Sequence, residues 1–163
     1  MTIISGDQVT ASITVACPRP RTFDLFTREI DLWWRRGPRF RNAPHDRALI
    51  HIEPFVGGRV FESASVEDGE HAFEIGCVTR WEAPSALAFS WRNAVFDGDE
   101  ITYVDVRFED HGGSTLVTVT HRGWAAIRAD HPARHNLAAA AFQQVLGRWW
   151  GDQLTALRLR AAN

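Results

Sequence analysis

Histidine and arginine carry what chemistry this sequence offers. His121 ends the stretch Thr115-x-Val117-x-Val119-x-His121, so in an extended chain it shares a face with apolar side chains. An imidazole placed there is either a core residue satisfied by a backbone carbonyl or a group that touches a ligand and moves a proton. His131 and His135 lie four residues apart, a spacing that lets two imidazoles on one helix approach a metal. No clear third ligand accompanies them, and no metal site is expected. Arg59 and Glu62 share the segment 58–65. If Phe61 faces inward there, Arg59 and Ser63 come with it; if Val60 does, Glu62 comes instead. Either facing sets one charged group in, or at the rim of, an apolar space. His45, His51, His71 and His111 read as loop or strand-surface residues.

Whole classes of chemistry are missing. All eighteen basic residues are arginine, which excludes Schiff-base catalysis, pyridoxal-phosphate attachment and a phosphate-loop lysine. There is no G-x-S-x-G elbow, no H-E-x-x-H, no G-x-G-x-x-G, no acidic dyad and no nucleophile triad. Cys17 and Cys77 form no C-x-x-C pair, and Cys77, alternating with apolar residues, reads as a small buried hydrophobe. No cofactor is expected. A net charge of −2 without basic runs gives no long-range attraction for nucleic acid. Neither a signal peptide nor a membrane-length apolar run is visible, so the expected location is cytoplasmic.

The elements that must position these residues follow from periodicity. One domain over 1–163 is expected from the length, with 45% apolar and 23% charged residues in the ordinary globular range. Period-two alternation predicts a first strand over 8–16, and Pro18 opens a helix to about Thr27. A short second helix is expected over 30–34, ended by Gly37-Pro38, and then a loop over 35–47 with five arginines and two prolines. This loop is a candidate lid. Six more strands are expected over 48–53, 58–65, 71–81, 86–92, 100–110 and 114–122, separated by Gly-, Pro- or Asp-bearing breaks. Phe142, Val145, Leu146, Trp149, Trp150, Leu154 and Leu157 recur at three- and four-residue spacing on a helix from about Asn136 to Ala161. Such a stripe is buried only against the sheet.

Seven tryptophans point to a large, shaped interior, either one packed with aromatic side chains alone or one that holds a ligand, since each buried indole brings an N–H that needs an acceptor. Strand parity puts Phe73, Ile75, Cys77, Thr79 and Trp81 on one face, Leu87, Phe89 and Trp91 on another, and Val117, Val119 and His121 on a third. Adjacent residues of one element cannot both point fully inward. One member each of Trp33-Trp34 and Trp149-Trp150 is therefore expected at a rim.

The ordered blocks Pro18…Phe23-Asp-Leu-Phe-Thr, Trp33-Trp34, Glu53-Pro54-x-x-Gly57-Gly58-Arg59-x-x-Glu62, Gly76-x-Val78, Pro84-x-x-Leu87-x-Phe89-x-Trp91 and Gly113-x-Thr115…His121-x-Gly123-Trp124 resemble the activator-of-heat-shock-ATPase-like family. That family lies in the START-like (SRPBCC) superfamily, and the resemblance spans roughly residues 8–158. It implies an α+β helix-grip fold: a curved seven-stranded antiparallel sheet around a long C-terminal helix, with two short helices after the first strand. It also implies an elongated cavity between sheet and helix, of the kind that takes lipid-like, sterol-like or polyketide-like molecules. Fold alone implies no shared activity.

The leading expectation is a protein that binds a small hydrophobic molecule. Trp33, Phe61, Phe73, Cys77, Trp81, Phe89, Trp91, Val119, His121, Phe142 and Trp149 would line the cavity, and Arg59 or Glu62 with His121 would orient a polar end of the ligand. The alternative is a cavity enzyme of the cyclase or aromatase type, with His121 as general acid or base and Arg59 stabilising an enolate. A third is an interaction module in which the 35–47 arginines meet an acidic partner, and a homodimer is compatible with any of these.

Overall fold

A computed structural model describes residues 3–4, 7–42, 48–63, 73–128 and 130–163. His45, His71, the 43–47 part of the arginine loop, the strand ends 64–65 and 71–72 and the turn 67–70 lie outside the described residues. In chain order the elements are β1 (Ile3–Ile4), β2 (Val9–Val15), α1 (Arg19–Thr27), α2 (Ile30–Trp33), β3 (Leu49–Ile52), β4 (Arg59–Ser63), β5 (Phe73–Glu82), β6 (Ala86–Trp91), β7 (Thr102–His111), β8 (Ser114–Arg122) and α3 (Ala139–Ala161). Two short 3-10 turns, Trp124–Ala126 and Pro132–Arg134, stand between β8 and α3.

The seven expected strands are present, and the two-residue strand β1, which alternation was too short to mark, extends the sheet at one edge. Strand order is β1-β2-β8-β7-β6-β5-β4-β3, antiparallel throughout. Consecutive strands β2 and β3 therefore sit far apart in the sheet, and α1 and α2 cross between them. The curved sheet thus grips α3, the helix-grip arrangement. α1 starts as its prolines dictate: Pro18 is extended (φ −62°, ψ 154°) and a second proline, Pro20, lies in the first turn. Its Phe23 and Phe26 face the sheet, where both meet Phe108 edge-on, and Leu25 is buried with them in the main core.

Two expectations of facing fail for one physical reason, a backbone that does not keep its period. On β5 the pairing to β4 shifts between Val60 and Phe61, and the pairing to β6 shifts between Val78 and Arg80. Each irregularity inserts a residue and reverses the alternation. The inward positions become Ile75, Val78 and a half-buried Trp81, while Cys77 is exposed. Next to it, the Gly76 backbone lies so close to Ser90 that an added Cβ would stand 1.7 Å from the Ser90 carbonyl oxygen. Trp33 and Trp34 are both buried, since α2 ends at Trp33 and Trp34 is extended (φ −60°, ψ 121°), turning the second indole inward too. At the other pair Trp150 is fully buried and Trp149 only partly.

The α3 stripe divides. Trp150, Leu154 and Leu157 fill the main core with β2, β6, β7 and β8 residues. Phe142 joins a second, smaller cluster with Phe96, Trp124, Ile127 and Ala133. The helix starts at Ala139, later than expected, because His135 and Asn136 adopt left-handed conformations (φ 52° and 60°).

Candidate functional site

Between the two clusters lies a cavity of about 460 Å³. Its walls are aromatic: Phe40, Trp91, Trp124, Phe142 and Trp149, with Val145 and Leu146 along α3. Segment 38–42, residues 93–95 after β6 and the turn 132–135 complete it. Each wall is fixed by its own local chemistry. Gly123 turns the chain at φ 93°, and the Asp7 carboxylate accepts the N–H groups of Gly123 (3.2 Å) and Ala125 (3.1 Å), which seats Trp124. Arg134, itself buried, donates to the Trp124 and Ile127 carbonyls, closing the same turn. Phe142 then meets Trp124 edge-on at 4.7 Å.

The arginine loop forms the opposite wall, and its described part is tied down. Trp34 Nε1–H donates to the Phe40 carbonyl (3.1 Å), and Trp149 Nε1–H to the Arg39 carbonyl (2.8 Å). Gln153 Oε1 accepts the Arg35 N–H (2.9 Å). Arg41 is buried, donating to Asp31 (2.7 Å) and to the Ala48, Trp34 and Arg35 carbonyls. Burial alone would raise the Asp31 pKa, but the Ile50 N–H and the Arg41 and Arg36 charges outweigh it and hold the carboxyl below its ordinary range. Asn42 bridges two sides: its N–H and amide donate to Glu62 (2.8–3.0 Å), and its Oδ1 accepts the Ala94 N–H (3.0 Å).

His121 sits at the cavity wall with both nitrogens occupied. An indole can only donate, so Trp150 Nε1–H bonds to an unprotonated His121 Nδ1 (3.1 Å). The proton then lies on Nε2 and is donated to Thr102 Oγ1 (2.8 Å), whose hydroxyl donates on to the Trp91 carbonyl (3.2 Å). Burial pushes the imidazole down from 6.5 to about 3. It is a neutral imidazole, held by side chains rather than by the backbone carbonyl that parity suggested.

Of the residues singled out in the sequence, Trp91, His121, Phe142 and Trp149 meet at this cavity. Trp33, Phe89 and Val119 are buried in the main core, and Phe73 and Trp81 pack half-buried against it, Trp81 edge-on to Phe23 at 5.1 Å. The β4 ambiguity resolves toward Val60 and Glu62 inside. Glu62 is fully buried behind Asn42 and does not line the cavity. Phe61 stacks outside on His51 (4.9 Å), and Arg59 is exposed, paired with Glu53 (2.9 Å). Arg59 is therefore not available to a ligand polar end or an enolate in this cavity, and Cys77 is not a lining residue. Phe40, Trp124, Val145 and Leu146 were not among the expected lining residues, whereas the 35–47 loop, a candidate lid, does supply residues 38–42 of the wall. For Trp124 the signal was present in its own identity, beside a turn-forming glycine.

His131 and His135 are not brought together on a common ligand. Among the described residues Asp97, Glu100 and His131 approach closely enough to share a cation. His131 is hydrogen-bonded at both nitrogens: Nδ1 accepts the Ala133 N–H (3.0 Å), and Nε2 pairs with Glu100 (2.9 Å). This is the capping of a 3-10 turn.

Comparison with solved structures finds the same fold repeatedly. A Rhodobacter sphaeroides protein is 18% identical, aligning over 99% of this chain and 97% of its own at a TM-score of 0.64. An HSP90 activator from Plasmodium falciparum is 16% identical over 96% of both chains, TM-score 0.62. MLL2253 from Mesorhizobium loti is 17% identical over 93% of this chain and 94% of its own, TM-score 0.63. No curated protein matches in sequence. No helix among the described residues is long and apolar enough to cross a membrane. The family model described as "Activator of Hsp90 ATPase homolog 1-like protein" matches residues 16–157, and the chain belongs to that family.

Proposed function

We propose that this protein binds a small, predominantly aromatic or otherwise hydrophobic molecule in the cavity between segment 38–42, the Trp124 turn and the first half of α3. The observation that carries the reading is the cavity itself: about 460 Å³, walled by five aromatic side chains. That volume lies in the range of roughly 300–1,000 Å³ typical of small-molecule sites. Family membership supports the same reading. Binding, rather than proton-transfer chemistry, suits a wall whose imidazole is neutral and already hydrogen-bonded at both nitrogens.

The test is titration with N-phenylnaphthylamine, a neutral fluorophore that brightens in apolar surroundings. Wild-type protein is expected to bind it saturably with one site, and Val145→Phe, which fills space at the cavity wall, to weaken binding by about tenfold or more. Unchanged binding by Val145→Phe, or no binding by either protein, would contradict the proposal.

A further inference from the structure

We infer that the ligand is an organic anion: a flat two- or three-ring aromatic body carrying a carboxylate, sulfonate or phenolate that is held at the cavity mouth by Arg39. The inference rests on the binding function proposed above and adds the charge of the ligand to it. Three observations carry it. Among the described residues, no aspartate or glutamate lines the cavity, whereas Arg39 and Arg41 do. Arg41 is spent on Asp31 and on backbone carbonyls, with its side chain 5% exposed, so its charge is neutralised within the protein. Arg39 is different. Its side chain is 58% exposed at the mouth, stacked over Phe40 with the guanidinium carbon 5.1 Å from the ring centroid.

Arg39 has an acid partner of its own, Asp152 on the outer side of α3, reached through Nη1 at 3.2 Å. Asp152 does not line the cavity. A guanidinium offers five N–H donors in a planar fork, so one contact to one carboxylate leaves donors for a second anion. The pair is solvent-exposed, and such pairs contribute little, so turning the fork toward a ligand loses little. Stacking on Phe40, whose ring Arg35 also approaches at 5.0 Å, holds the Arg39 guanidinium beside the aromatic wall. Exposed His135 lies at the same mouth and contributes no negative charge.

The experiment compares two fluorophores of nearly the same shape: anionic anilinonaphthalenesulfonate and neutral N-phenylnaphthylamine. Each is titrated into wild type, Arg39→Gln and Asp152→Asn. Wild type is expected to prefer the anion by about fivefold or more, as one charge-assisted contact provides. Arg39→Gln should remove that preference, weakening the anionic probe by a clearly larger factor than the neutral one. Asp152→Asn breaks the same ion pair but keeps the cation, so it should bind the anion at least as tightly as wild type. Equal affinities in wild type, or anion binding untouched by Arg39→Gln, would overturn the inference and leave the cavity proposal standing. Equal weakening by Arg39→Gln and Asp152→Asn would assign Arg39 to holding the loop and would also overturn it. Binding of neither probe would remove the cavity proposal beneath it.

Discussion

His121, one residue before the end of β8, sits inside a network of three other side-chain and backbone partners, and burial lowers its pKa from 6.5 to about 3. Below pH 6.5 the unfolded chain binds a proton there that the folded protein refuses, so stability is fully present above that pH and is lost as pH falls toward 3. The expected slope is about 1.4 kcal/mol per pH unit for this one group. Half-buried His51, likewise lowered by burial, adds to it with the same sign. Carboxyl groups with lowered pKa values, Asp31 and Glu29 among them, join only below their ordinary 3.8 and 4.5. Urea unfolding between neutral pH and 4.5 should therefore show a steep loss in wild type and a clearly shallower one in His121→Gln; parallel slopes would contradict the neutral, buried imidazole. The sequence showed that His121 shares an apolar face. It did not show Trp150 and Thr102 as partners, because they come from α3 and β7, far away in the chain.

At the scale of elements, strand and helix positions were legible because alternation and three- to four-residue spacing are properties of consecutive residues. Side-chain facing was legible only where the backbone keeps its period. β7 and β8 pair without interruption from Tyr103–Arg122 to His111–Ser114, and there parity placed Val117, Val119 and His121 correctly. On β5 two irregularities broke it, and Cys77 moved to the surface. Cys77 should accordingly react with a maleimide in the folded protein at the rate of an exposed thiol; protection until unfolding would mean that simple alternation holds. Gly76→Ala belongs to the same element. With its Cβ 1.7 Å from a carbonyl oxygen, it should destabilise by about 3 kcal/mol or more, read from chemical denaturation. A loss under about 1 kcal/mol would contradict this close approach of β5 and β6.

Taken whole, the molecule separates packing from binding along one helix. The C-terminal half of α3 completes the main core, and the N-terminal half leaves space that loops wall off: segment 38–42, residues 93–95, the Asp7-held Trp124 turn and residues 132–135. The fold was legible in the sequence to this extent, but the cavity was only partly so, since strand parity ranks residues of the sheet and says nothing of which loops close over it. Phe40 and Trp124 escaped for that reason, although the 35–47 loop itself was a candidate lid; Trp91, Phe142 and Trp149, on regular elements, did not, while Val145 and Leu146 read only as part of the α3 packing stripe. The seven indoles report directly on whether the cavity takes a ligand. In a proton–nitrogen correlation spectrum each indole N–H gives its own signal, and N-phenylnaphthylamine can be added stepwise. A probe bound in the cavity should shift the wall signals of Trp91, Trp124 and Trp149 saturably and leave those of Trp33 and Trp81 fixed. A spectrum in which the cavity-wall indoles stay still, or in which Trp33 and Trp81 move as much as they do, would contradict binding there.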